Sequence, residues 1–165
     1  MPADLSRLRF LWLFASLPGL TLPAQTLRLS SVTASRGARA SIEISLASPK
    51  GKEPAALQWE VTIPTAELSL TDKGMAVGPA AQAAGKTITC AVKEKTGDTL
   101  TFICVLAGGQ GQIRDGVIAL LRLRVLPQAP IGPARIRVER GMAVSKETIQ
   151  VPMNPVETVA TIRAR

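Results

Sequence analysis

The chain has 165 residues, enough for one domain with a real core and too few to make two the first expectation. Hydrophobic residues make up 46% and charged ones 19%, but aromatics only 3%, with no tyrosine and no histidine; the core must be aliphatic, and the commonest general base and metal ligand is missing. The net charge of +8 favours acidic surfaces, yet the basic residues are dispersed along the chain without aromatic stacking partners, which argues against nucleic acid.

Residues 1–24, ending in Ala24, read as a secretory signal peptide. Arg7 and Arg9 precede an apolar run from Phe10 to Leu17, the Pro18-Gly19 pair breaks it, and Ala24 is the cleavage residue. The run is far short of the ~20 residues that span a bilayer, so no stable membrane span is expected after cleavage. The mature domain then covers 25–165, in a secreted, periplasmic or cell-surface location.

From there the pattern is period two, with no sustained helical spacing. Ile42, Ile44 and Leu46 alternate with Ser41, Glu43 and Ser45, and Leu57, Trp59, Val61 and Ile63 alternate with Gln58, Glu60 and Thr62. Ile88, Cys90 and Val92 share one side of a strand; Leu100, Phe102, Cys104 and Leu106 share one side of the next; Ala134, Ile136 and Val138 follow. ETIQVPM and ETVATIRA are shorter final runs. The breaks SRGAR, SPKGKEP, DKGMAVGPAAQAAGK, KTGD, GGQGQIRDG and PQAPIGP are turn-rich. Together these predict an all-β fold, a two-sheet jelly-roll sandwich of about nine strands.

Cys90 and Cys104 stand symmetrically about Gly97 in TITCAVKEKTGDTLTFICVL, as adjacent strands of a hairpin would place them. Export makes a cross-strand disulfide the expected state; two buried free thiols are the alternative.

In IRDGVIALLRLRVLPQAPIGPARIRV (113 to 138), Val117, Ala119, Leu121, Leu123 and Val125 are expected on one face. Ile118 and Leu120 lie opposite, before Arg122 and Arg124 take over. Such a strand should enter beneath a covering segment and emerge into solvent, and the segment from Asp72 to Lys86 is the candidate cover. Gly116 and Gly132 suit backbone with positive φ, and Pro130 fixes φ in the connection.

The order of these features resembles a bacterial cohesin domain, a jelly-roll sandwich related to carbohydrate-binding modules of the cellulose-binding superfamily. The resemblance is carried by ASRGARASIEISL (34 to 46), AALQWEVTIPTAELSL (55 to 70), IRDGVIALLRLRV (113 to 125) and APIGPARIRV (129 to 138). The last two are the most specific, since cohesin-like chains join an Asp/Asn-Gly-Val strand to the next through an Ala-Pro-x-Gly turn. In the second, Ile63-Pro64-Thr65 stands where the family has a tyrosine-aspartate-proline turn.

The resemblance implies a non-catalytic binding module, without cofactor or metal, whose protein partner is a dockerin-like domain in polysaccharide degradation. Cohesins that bind dockerins use an Asn/Asp pair on the strand matching 56 to 63, where this chain carries Ala56 and Gln58. The outward positions Gln58, Glu60, Thr62, Thr99 and Thr101 are the candidate binding residues; the alternative is that they are solvated strand residues. Direct carbohydrate binding, which would make polysaccharide the partner, and a cell-surface structural role are the other readings. After loss of the leader only Trp59 and Phe102 remain aromatic, and alternation points both inward. For an enzyme, Glu60 and Glu67 could be imagined as a carboxylate pair, but they lie across a strand end and a turn, where surface charge is the far commoner explanation.

Overall fold

A computed structural model describes residues 24–164, apart from the side chains at 72 and 73; the leader expected at 1–24 lies, but for Ala24, outside the described residues. Eleven strands and one short helix follow in chain order: β1 (Thr26–Leu29), β2 (Val32–Ser35), β3 (Arg39–Ala47), β4 (Ala56–Pro64), β5 (Leu68–Val77), α1 (Pro79–Ala83), β6 (Thr87–Thr96), β7 (Thr99–Ala107), β8 (Gly116–Val125), β9 (Gly132–Val144), β10 (Gln150–Met153) and β11 (Val156–Arg163). They form a four-stranded sheet, β1-β3-β8-β5, and a seven-stranded sheet, β2-β11-β9-β4-β7-β6, with β10 paired to β9. This is the expected all-β sandwich; the count exceeds nine through β1 and β2, each only four residues long.

Alternation places the core as read from the sequence. Ile42, Ile44 and Leu46 on β3 and Leu57, Trp59, Val61 and Ile63 on β4 are all buried, as are Ala134, Ile136 and Val138 on β9. Each large aliphatic side chain so enclosed stabilises by roughly 1.5–3 kcal/mol. Trp59 sits opposite Cys104 in the ladder, and its indole N–H is buried without a partner.

The paired cysteines are joined: Cys90 faces Cys104 across β6 and β7 in a disulfide. The pairing depends on an irregularity absent from the simple alternation. Thr96 pairs with Thr99 around a Gly97-Asp98 turn, so an unbroken ladder would bring Ala91, not Cys90, opposite Cys104; the register slips between Val92 and Glu94, and Lys93 is the residue left over. Val92 was expected on the inward side with Cys90, but it is 62% exposed. It lines a crevice of about 320 Å³ between β5 and β6, where Leu70, Met75, Ile88 and Phe102 meet and the two sheets no longer close on each other.

The single apolar face expected for β8 is also broken by a bulge. Ile44 pairs with Ala119 and Ser45 with Val117, leaving Ile118 as the extra residue. Val117 is thereby set with the outward Ser45 and is only half-buried, while Ile118 and Ala119 are both fully enclosed.

The segment 72–86 does pack on β8, but not as a loop. Met75, Ala76 and Val77 are the end of β5 and pair with Leu121, Leu120 and Ala119. The chain then turns at Gly78, whose N–H donates to the Ile118 carbonyl, into α1, which starts at Pro79 and buries Ala81. A Cβ on Gly78 would lie 2.5 Å from the Val117 carbonyl oxygen, so this close approach requires glycine. Gly116 and Gly132, with φ of 133° and 131°, open β8 and β9 as their sequence positions suggest.

Lys86 is the one lysine buried among the described residues. Its ammonium donates to the carbonyls of Gly108 (2.6 Å) and Gly109 (3.2 Å), tying the GGQG loop to the start of β6.

Candidate binding face

The outer surface of the seven-stranded sheet gathers most of the residues singled out from the sequence. Directly opposed residues of antiparallel strands share a face. Three rows therefore run across β9, β4, β7 and β6: Met142, Gln58, Val105 and Thr89; Glu139, Glu60, Ile103 and Ala91; Arg137, Thr62, Thr101 and Glu94. Gln58, Glu60, Thr62 and Thr101 are brought together. The hydroxyls of Thr62 and Thr101 lie 2.9 Å apart and bond to each other. Thr99 stands at the margin, opposite Pro64, and its hydroxyl donates to the Thr96 carbonyl, clasping the hairpin turn.

Glu60 is held by cations from both sides. The Lys93 ammonium is 2.6 Å from one carboxylate oxygen, and the Arg140 guanidinium is 3.9 Å from the other. Both cations come from ladder irregularities: Lys93 is the extra residue of β6, and Arg140 occupies a second bulge, where Gln58 pairs with Met142 but Glu60 with Glu139. Arg140 adopts a positive φ of 49° there. Further along, Arg137 meets Glu139 at 3.1 Å and Glu157 at 3.9 Å, and Arg135 meets Glu157 at 3.1 Å. Glu60, Glu139 and Glu157 are thus each matched by a cation within this face. Exposed pairs of this kind add little stability, about 0–1 kcal/mol each, but they fix side-chain positions.

The other end of the face is apolar. Ala56, Met142, Val144 and Ile103 are half-buried, and Val105 is 40% exposed. Sequence reading missed Val105, Ile103, Met142, Lys93 and Arg140. For Val105 and Ile103 a signal existed, since the alternation that turns Phe102, Cys104 and Leu106 inward turns them outward.

Glu60 and Glu67 do not form a carboxylate pair in a cleft. Glu60 is engaged as described, and Glu67 lies in the connection to the other sheet, its carbonyl accepting from the Leu126 N–H. Among the described residues, no group of three or more His, Cys, Asp or Glu could hold a metal, and no helix is long and apolar enough to cross a membrane. Trp59 and Phe102 are both buried, so neither offers a ring for stacking on a sugar.

Neither a family model nor a curated protein matches the sequence. Solved structures do. A cohesin of Clostridium thermocellum, from a type I cohesin–dockerin complex, superposes with a TM-score of 0.70 at 18% identity, over 85% of this chain and 99% of that one. The fold is that of the cohesins. The sixth cohesin of scaffoldin B from Acetivibrio cellulolyticus, solved with a dockerin, gives 0.68 at 16% identity over 85% of this chain and 99% of that chain. A non-cellulosomal cohesin from the archaeon Archaeoglobus fulgidus gives 0.66 at 13% identity, over 86% and 92%. The cohesin fold expected from the four sequence segments is therefore present.

Proposed function

We propose that this chain is an exported, non-catalytic binding module that holds a protein partner, of dockerin type, against the outer face of its seven-stranded sheet. The observation that carries this reading is the make-up of that face. An apolar end around Val105, Ile103 and Met142 adjoins the Gln58 and Thr62–Thr101 hydrogen-bonding groups and a set of charges already paired with one another. Protein interfaces likewise combine apolar contact area with adjoining hydrogen-bonding and charged residues. Cohesins of the same fold that were solved in complex with dockerins support the choice of partner.

With Ala56 and Gln58 on β4, the partner's hydrogen bonds would fall to Gln58, Thr62 and Thr101, and its apolar contact to Val105 and Ile103. The disulfide suits an oxidising compartment, in keeping with residues 1–24 as an export leader. A role in polysaccharide degradation would come through the enzyme that bears the partner domain.

Parallel retention assays test the reading: immobilised dockerin modules on one side, insoluble cellulose and chitin on the other. Retention on dockerin modules alone is expected. Retention on the neutral polymers without any protein partner would overturn it.

A further inference from the structure

The two outer faces of the sandwich treat their arginines differently. On the seven-stranded sheet Arg135 and Arg137 are matched by Glu157 and Glu139. On the four-stranded sheet Arg39 stands directly opposite Arg124, and Ser41 opposite Arg122, while Ser69 of β5 flanks Arg124 on its other side. All three arginines are exposed. Like charges in a directly opposed pair repel, so this arrangement does not serve the sheet's own stability.

Among the described side chains, no carboxylate lies within ion-pairing distance of Arg39, Arg122 or Arg124, and the ion pairs that those described side chains form all belong to the other sheet. Glu43, the acidic residue of β3, is opposite Leu120, beyond Arg122. Strand geometry sets the three guanidinium-bearing positions about 4.8 Å apart across the sheet and about 6.8 Å apart along β8.

We propose that this face binds a linear anionic polysaccharide, one carrying carboxylate or sulfate groups. Guanidinium forks match both anions, and the hydroxyls of Ser41 and Ser69 stand beside them for the sugar's own hydroxyls. The face holds little apolar surface beyond the half-buried Val117, Leu120 and Ala76, so it lacks the centre of a protein interface and the apolar wedge of a membrane-surface element. A flat sheet also has nothing to enter a nucleic-acid groove. An extended chain with repeated anions needs only what is here. The inference does not rest on the reading of the opposite face, and the two together describe a module that grips protein on one side and acidic polymer on the other.

The test is calorimetric titration of the protein with polygalacturonate, dextran sulfate and uncharged dextran, with duplex DNA and phosphatidylglycerol vesicles as further arms. Binding to one or both anionic polysaccharides, not to dextran, is expected, weakening steeply with salt. Combined Arg39→Gln, Arg122→Gln and Arg124→Gln should weaken it by roughly tenfold or more, whereas Arg135→Gln with Arg137→Gln should change it by less than about twofold. A melting curve confirms that each variant is folded; should the triple variant fail to fold, Arg124→Gln alone is expected to lose about threefold. Undiminished binding by the folded variants, equal loss in the Arg135/Arg137 pair, no binding to either acidic polysaccharide, or tighter binding to DNA or vesicles would each overturn the proposal.

Discussion

Lys93, the residue skipped by the pairing of β6 with β7, sets its ammonium 2.6 Å from the Glu60 carboxylate on β4, two strands away. One irregularity thus has two consequences. It brings Cys90 rather than Ala91 opposite Cys104, and it sends a cation across the face to a carboxylate that is only 12% exposed. The covalent link on the inner side and the ion pair on the outer side both depend on the same slip of register.

Substitution Lys93→Met should therefore leave the disulfide intact while costing about 1 kcal/mol, the upper end for a partly exposed pair, because Glu60 has little water to replace its partner. A double-mutant cycle with Glu60→Gln, followed by urea unfolding, should return a coupling of about 0.5–1 kcal/mol. Additive single effects would mean that the pair contributes nothing.

The disulfide closes a sequence separation of 14 residues. In the chain-entropy description such a loop contributes about 3 kcal/mol. Replacing Cys90 and Cys104 together by alanine should lower the urea midpoint accordingly. Intact mass without reductant should show the natural protein two hydrogens lighter than its reduced form; two thiols that alkylate in the folded protein would refute the bridge.

Lys86→Met should cost about 1–3 kcal/mol, since the Gly108 and Gly109 carbonyls lose their donor. Burial lowers the Lys86 pKa below the ordinary lysine value. The unfolded chain then binds more protons than the folded one in the window between the lowered value and about 10.4, so stability attributable to this group rises with pH there. Unfolding curves taken from pH 9 to 10.5 should show that rise in the natural protein relative to Lys86→Met. Parallel curves for the two proteins would rule out the desolvated ammonium as its source.

How much of this was written plainly in the sequence depends on whether the ladder is regular. Ile42, Ile44 and Leu46, the inward run of β4, and the hairpin around KTGD are all where period two puts them, because a one-residue slip would turn an entire apolar set to water. Bulges defeat that logic. Val117 and Ile118 exchange environments at one, and Lys93 and Arg140 are created as partners of Glu60 at two others. Val92 keeps the inward phase but is exposed because the opposing sheet ends beside it. The helix α1 spans five residues, too few for a 3.6-residue period to register, and β1 and β2 are too short to alternate visibly. Of the candidate site, Gln58, Glu60, Thr62 and Thr101 were legible as outward residues. Their apolar neighbours on β9 were not, since no local pattern states which strands lie side by side.

The central claim is that the outer face of β9, β4, β7 and β6 carries the partner. Titration of a dockerin module with the natural protein and with Val105→Glu tests it most directly, because Val105 is exposed in the apolar part of that face and a buried, unpaired carboxylate would be costly there. The expected result is saturable binding by the natural protein, weakened about tenfold or more by Val105→Glu at unchanged melting temperature. Equal affinity of the two proteins for the module, or no dockerin bound by either, would contradict the account.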